Sequence, residues 1–407
     1  MRLTATLLRL VVAATLVALA LFCANAASAK KPGPLPDGAA TPDNLTSSQW
    51  ALAQINGNAA HEVTGGSPFV RVALIDSGID PGHPEFAGRI DTANSVSCIT
   101  GAPVTDPTGE LWKDLIGHGT HVAGIIAAGD NGFGTVGVAP NVQLLIVKVT
   151  NPGLPITPAA AACAFEYVAG QHVDVANASF AVDKGATGSA DPLDFFCPDN
   201  ADDNAAIQLV DQAVADAQAA GATVVASAGN NGIDMAHPAA GEGCIRMPVQ
   251  LPGVIGVAGE GRNGARTTSN PPGASNFGLG AIDLVAPGGD PAQGGVPGGL
   301  ILSTFPSYIS TPTPSIVDGG PTSTFRYNAG TSMAAAHVSG VAALIVSRFG
   351  DLHSTASGKL APSWVANRLR KTAVFKPCPA DSRCETADGY NGFFGYGEVD
   401  ALAAVSS

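Results

Sequence analysis

The chain has 407 residues, 45% of them hydrophobic and 13% charged, with 20 Lys and Arg set against 33 Asp and Glu for a net charge of −13. Such a length and apolar share allow a large buried interior. An acidic balance without a basic cluster argues against nucleic acid as a partner, because phosphate binding needs clustered Lys and Arg.

The chain opens on a targeting segment. Arg2 and Arg9 accompany an apolar run from Leu10 to Phe22, and the small residues after it include Ala27-Ser28-Ala29, an A-x-A cleavage pattern. The run is shorter than the roughly 20 residues needed to cross a membrane. Residues 1–29 are therefore expected to be a cleaved signal peptide, leaving a secreted, extracellular protein with no membrane anchor. No later segment reads as long and apolar enough to be one. Residues 30–48, rich in Pro, Gly, Ala and Thr, read as an extended arm, and 49–407 as a single domain. Cleavage removes Cys23 and leaves Cys98, Cys163, Cys197, Cys244, Cys378 and Cys384, an even set that suggests disulfides in an exported chain. Cys378 and Cys384 flank one short loop and are the expected pair. Cys163, in an Ala-rich helical stretch, is the first candidate for a buried free thiol. No Cys-x-x-Cys spacing points to zinc.

A short helical stretch is predicted over 49–63. Then Val70 to Ile75 forms an apolar run stopped by Asp76-Ser77-Gly78, which reads as a buried strand ending in a turn. Further strands are predicted at 142–149, 173–180, 223–228, 254–258 and 282–286, with helices at 158–169 and 205–220. Near-continuous apolar strands alternating with helices imply an α/β fold, a mostly parallel sheet with helices on both faces. Segments 91–113, 183–204 and 288–325 read as loops or insertions. In such folds the functional crevice lies beyond the carboxyl ends of the strands, where Asp76 and Asn230 fall.

The stretch Asn328 to Gly340 carries the chemistry. Gly330 permits a turn, Thr331 and Ser332 start a helix, and Met333 to Val346 is small and apolar nearly all round, hence buried. Ser332 then sits at the exposed start of that helix, where an N–H lacks an intrahelical partner and the dipole favours negative charge. That suits a nucleophile whose reaction develops an oxyanion, although an isolated Gly-Thr-Ser is more often an ordinary cap. A serine nucleophile needs a base, and the base needs an orienting group. Gly117-His118-Gly119-Thr120-His121-Val122-Ala123-Gly124 supplies His118 at a helix start, whereas His121 and His337 lie inside helices and read as packing residues. Asp76 is placed to hold an imidazole N–H. Asp80 and Glu85 are expected at the surface. In Ser227-Ala228-Gly229-Asn230-Asn231, the Asn230 amide is a candidate oxyanion donor; on its own it would read as a turn residue.

Together these four stretches resemble the subtilisin-like serine peptidases, in the Asp, His, Ser order of that family. The likeness runs from about residue 49 to the end and includes Gly137-Val138-Ala139-Pro140 and Gly395 to Ala401. It implies a serine endopeptidase acting through an acyl-enzyme, with Asp76, His118 and Ser332 as the triad and Asn230 as oxyanion donor. Protein or peptide substrates are implied, with no cofactor for the chemistry and a monomeric enzyme. Two features depart from the pattern. The spacing between Ala29 and Asp76 is too short for the folding pro-domain of many secreted members. Asn177-Ala178-Ser179-Phe180-Ala181 stands where relatives usually carry Ser-Leu-Gly-Gly, so that Ala181 adds a methyl group beside the substrate backbone. The segment Gly129 to Thr135 resembles the family's calcium loop, with Glu85 as a further carboxylate, so a structural calcium is an open expectation. Two alternatives remain: a dedicated processing peptidase for one exported precursor, and a catalytically silent binding protein on the same fold.

Overall fold

Arg71–Asp76 (β1) is the strand around which the sheet is laid down. In the computed structural model, residues 45–407 are described except 185–193, 269–273, 295–297, 311–315, 319, 321 and 352–359. The predicted signal peptide, the arm up to residue 44 and part of the acidic 183–204 segment lie outside the described residues. Seven more strands join β1: Val96–Ser97 (β2), Val104–Thr105 (β3), Gln143–Lys148 (β4), Val175–Ala178 (β5), Thr223–Ser227 (β6), Ile255–Glu260 (β7) and Leu284–Pro287 (β8). Their order across the sheet is β3-β2-β4-β1-β5-β6-β7-β8. Only the β2–β3 pair is antiparallel. Strands β5 to β8 are buried along their whole length, as expected for a parallel sheet covered on both sides.

Each face carries its own core. Pro158–Gly170 (α4) and Ala201–Ala219 (α5) cover one face. The other is filled by His118–Ala127 (α3) and Thr331–Phe349 (α6), with Trp50–Gln54 (α1), Gly57–His61 (α2), Pro362–Thr372 (α7) and Ala401–Val405 (α8) around them. Every residue of α6 from Thr331 to Val346 is buried. Each of Leu344, Ile345 and Val346 removed from water contributes about 1.5–3 kcal/mol, so this helix anchors the segment that begins with Thr331 and Ser332.

Several sequence expectations change. Helix α6 is, against expectation, long and apolar enough to cross a membrane, with 19 residues and mean hydropathy 1.3; it is instead a core helix, 83% buried. The predicted helix over 49–63 is two short helices, broken where Asn56 adopts φ 57°. The 288–325 segment is not only loop. Ile301–Phe305 (β9), Ile316–Val317 (β10) and Thr324–Asn328 (β11) form a second, antiparallel sheet in the order β10-β11-β9. Their short length and their Gly- and Pro-rich surroundings hide the alternation that marks a strand. Likewise 91–113 holds β2 and β3, and α5 starts at Ala201, capped by the Asn200 side chain.

The pairings are Cys98–Cys163, Cys197–Cys244 and Cys378–Cys384. Cys378–Cys384 is the expected pair, but Cys163 is no free thiol. Sheet order brings α4 against the segment leaving β2, with 5.8 Å between the Cys98 and Cys163 Cα atoms. Asp80 and Glu85, expected at the surface, are 4% and 0% exposed.

Candidate active site

Two of the four candidate residues, Asp76 and Asn230, follow strand ends at one edge of the sheet, and His118 and Ser332 reach it from helix starts. Strand β1 ends at Asp76. In the next strand Ile75 is opposite Ala178, which puts Ser179 level with Asp76. Ala178 is in turn opposite Ala226 of β6, and Asn230 follows three residues after that strand ends. Two strand spacings, about 10 Å, therefore separate the ends of β1 and β6. Ser332 reaches this edge from behind the sheet: its hydroxyl donates to the Ser179 carbonyl at 3.2 Å, and the Ser179 hydroxyl donates back to the Ser332 carbonyl at 3.0 Å. Ser332 is 7% exposed, more enclosed than its place at a helix start implies.

His118 opens α3 and lies 2.7 Å through Nδ1 from Asp76 Oδ1, with 30% of its side chain exposed. The same oxygen accepts the Ser77 N–H at 2.7 Å. A carboxylate on one ring nitrogen favours the tautomer that leaves Nε2 as an acceptor. The approach of α3 to the β1 turn requires Gly119, where a Cβ would lie 2.1 Å from the Gly78 carbonyl oxygen. Burial lowers the His118 pKa, but the Asp76 charge and hydrogen bond, aided by Asp114, outweigh it and leave the imidazole above its ordinary value. Among the described residues no hydrogen bond joins Ser332 to His118; the serine hydroxyl is turned to Ser179 instead.

Beneath this pair lies a residue that sequence reasoning missed. Asp114 is fully buried. Its Oδ1 accepts from Ser77 Oγ at 2.9 Å, Ile116 N–H at 2.9 Å and Gly117 N–H at 2.8 Å. Its Oδ2 accepts from the Thr120 N–H at 2.9 Å and the Thr120 hydroxyl at 2.7 Å. Ser77 Oγ also accepts the Gly119 N–H at 2.9 Å. One carboxylate thus ties the turn after β1 to the start of α3. Its position four residues before His118 was the available signal.

On the other side, Gly330 caps α6 and Asn230 is joined to the first turn of that helix. Asn230 Oδ1 accepts the Thr331 N–H at 2.8 Å, and the Thr331 hydroxyl accepts the Gly229 N–H at 2.9 Å. With Oδ1 engaged, Asn230 Nδ2 is the group left to donate. The Ser332 N–H lies in the first turn, where no intrahelical acceptor exists.

Two other buried histidines, His121 and His337, are structural, as their places in helices suggested. His121 meets the Arg326 carbonyl at 3.1 Å and His337 the Met333 carbonyl at 2.8 Å. Burial lowers their pKa values to about 3 and about 4, so both stay neutral.

The calcium expectation can be tested on the donors around Glu85. Oε2 accepts from the Gly129 N–H at 3.1 Å and the Asn131 side-chain amide at 2.9 Å, and Oε1 from the Thr135 N–H at 3.1 Å. Both oxygens of this carboxylate are met by N–H donors of the loop. Calcium needs six to eight oxygens, so the set around Glu85 does not fit it. Nor, among the described residues, do three or more His, Cys, Asp or Glu gather to hold a metal.

Residues 69–397 match the Subtilase family. The chain is 30% identical over 362 residues to an alkaline protease of Alkalihalobacillus alcalophilus, covering 88% of this chain and 69% of that one. It is 29% identical over 362 residues to Subtilisin Savinase of Lederbergia lenta, covering 88% and 98%. Among solved structures it resembles a lanthipeptide protease with a TM-score of 0.68 at 25% identity, covering 88% of this chain and 92% of that chain.

Proposed function

The chain belongs to the subtilase family and is a serine endopeptidase, and from that premise we propose that Ser332 is its nucleophile, His118 the general base, Asp76 the orienting carboxylate and Asn230 an oxyanion donor. The observation that carries this reading is the Asp76–His118 hydrogen bond of 2.7 Å, made at the sheet edge that also receives Ser332 and Asn230.

The reaction follows from those positions. Ser332 Oγ leaves the Ser179 carbonyl by a side-chain rotation and gives its proton to His118 Nε2 as the Oγ–C bond forms. Asp76 holds Nδ1 and stabilises the imidazolium. The carbonyl oxygen takes up negative charge and accepts from Asn230 Nδ2 and the Ser332 N–H. Losing one such donor costs about 2.7–4 kcal/mol of transition-state stabilisation. Collapse breaks the C–N bond, and His118 passes its proton to the departing amine. Water, deprotonated by His118, then hydrolyses the ester and restores Ser332. No step calls for a metal ion.

The enzyme works outside the cell after loss of residues 1–29; the signal-like pattern and three disulfides support this. Residues 49–407 act as one catalytic domain. Ser332→Ala is expected to abolish peptide hydrolysis while leaving circular dichroism and melting unchanged; hydrolysis by the purified variant would refute the assignment. A second reading, a dedicated processing peptidase, is favoured by the likeness to a lanthipeptide protease. Digestion of a random peptide library separates the two: cleavage of many unrelated sequences means a general degrader, and cleavage of one narrow motif means a processing enzyme. Failure of Ser332 to react with a fluorophosphonate would leave the silent binding protein.

A further inference from the structure

Asn276 lies far from the four family motifs, yet its hydrogen bonds converge on the loop that carries Asn230. The residue is fully buried. Its Oδ1 accepts the N–H groups of Asn231 at 2.9 Å and Ile233 at 3.0 Å. Its Nδ2 donates to the Ala228 carbonyl at 2.8 Å, and its own backbone N–H donates to the Gly229 carbonyl at 2.9 Å. Residues 228, 229, 231 and 233 are thus held by one residue, and they bracket Asn230 on both sides.

The fit leaves little slack. A Cβ at Gly229, which adopts φ 96°, would lie 2.6 Å from Asn276 Nδ2. The clamp is itself braced. Arg266 donates to the Ser275 carbonyl, and the Ser275 hydroxyl accepts the Gly259 N–H at 3.0 Å, tying the segment to β7. Thr331 grips the Asn230 side chain from the nucleophile's helix, and Asn276 holds the backbone before and after Asn230.

We infer that Asn276 is a positioning residue for the oxyanion donor: it touches no substrate, and it fixes the loop from which Asn230 Nδ2 meets the developing charge. The inference rests on the reading of Asn230 given above. The chemistry at this position calls for a carboxamide. Two N–H groups need one oxygen, and a carbonyl beside them needs a donor at the same reach. Aspartate would set a second oxygen against the Ala228 carbonyl, and serine is too short to span the loop. An oxyanion donor acts by being in place before the charge appears, and a misplacement of about 1 Å at a reacting centre can cost roughly 100-fold in rate.

The test is a double-mutant cycle on the mature enzyme. It compares Asn276→Asp and Asn276→Ser in the native background and in Asn230→Ala, with kcat and KM measured on a chromogenic peptide amide that the native enzyme cleaves. Fluorophosphonate titration counts the folded active sites, so kcat is expressed per competent site. In the native background kcat is expected to fall by about 10- to 100-fold with KM within about threefold, because the defect is confined to the transition state. In the Asn230→Ala background the same substitutions should lower kcat by less than about threefold, since the group they position is gone. An equal loss in both backgrounds marks Asn276 as merely structural and overturns the inference while leaving Asn230 in its role. An unchanged kcat in the native background overturns it as well. Native kcat in Asn230→Ala alone would remove the donor assignment and this inference together. Should Asn276→Asp not fold, Asn276→Ser decides, because it removes the carboxamide without burying a charge.

Discussion

Replacing Asp114 by asparagine removes one charge and reverses part of one hydrogen-bond set beneath the histidine. The new amide keeps one oxygen for Ser77, Ile116 and Gly117, but its NH2 faces the Thr120 N–H and hydroxyl, both of which now donate to Oδ2. The Thr120 hydroxyl also accepts the Asp80 N–H at 2.9 Å, which limits its freedom to turn. One buried donor left without an acceptor costs about 1–3 kcal/mol, and the surviving bonds lose their charge assistance. A total loss of about 3–5 kcal/mol follows for Asp114→Asn. Urea unfolding measures it, in a Ser332→Ala background so that self-digestion does not distort the curve. The same substitution has a catalytic signature. The Asp114 charge helps to raise the His118 pKa, so removing it lowers that pKa. As the proposed general base, His118 must be neutral to accept the serine proton. Activity therefore falls as pH drops through the His118 pKa, and the acid limb of kcat/KM should move to lower pH in Asp114→Asn. A limb that stays in place or moves upward, together with an unchanged urea midpoint, would refute the reasoning.

The disulfides should differ in worth, because Cys98–Cys163 closes a separation of 65 residues and Cys378–Cys384 one of 6. Loop-closure entropy gives about 4 and about 2 kcal/mol respectively; equal destabilisation on paired Cys→Ala replacement would contradict it. Since N–H donors occupy the Glu85 carboxylate, the melting temperature of Ser332→Ala protein should not depend on chelator or added calcium. Glu85→Gln should cost about 1–3 kcal/mol, and a saturable calcium-dependent rise in melting would overturn the donor argument. Burial also holds His83, His121 and His337 at about 4, 3 and 4, below the unfolded value of 6.5. The unfolded chain therefore binds protons first. Their stabilisation is present above pH 6.5 and is lost as pH falls toward those values, each steepening the decline by up to about 1.4 kcal/mol per pH unit. His83→Gln should flatten the acid limb of stability, and an identical slope would count against the account.

Much of the architecture was legible locally. The run before Asp76-Ser77-Gly78 reads as a buried strand because apolar residues dominate it, and β1 ends at Asp76. The small, apolar stretch after Ser332 reads as a buried helix for the same reason, and α6 is buried to Val346. Strands β9 and β11 were hidden because Gly, Pro, Ser and Thr crowd their neighbourhood and their partners are each other rather than the main sheet. Asp80 and Glu85 were expected at the surface because charge is costly to bury unless it is satisfied. The donors that satisfy Glu85 lie at Gly129, Asn131 and Thr135, out of sight of any local window.

What the sequence by itself determined is the set of segments and their chemistry: the parallel α/β class, the strand ends that bear Asp76 and Asn230, and the helix starts that bear His118 and Ser332. These follow from hydrophobic period and turn residues, whose effects act over a few neighbouring positions. Only the tertiary structure decided which strand lies beside which, and hence that Asp114 ties two turns together, that Asn276 clamps the loop of Asn230, and that Cys163 meets Cys98. Those contacts join residues brought together by the 2-4-1-5-6-7 run of strands, an order set by the packing of the whole sheet rather than by any pattern along the chain.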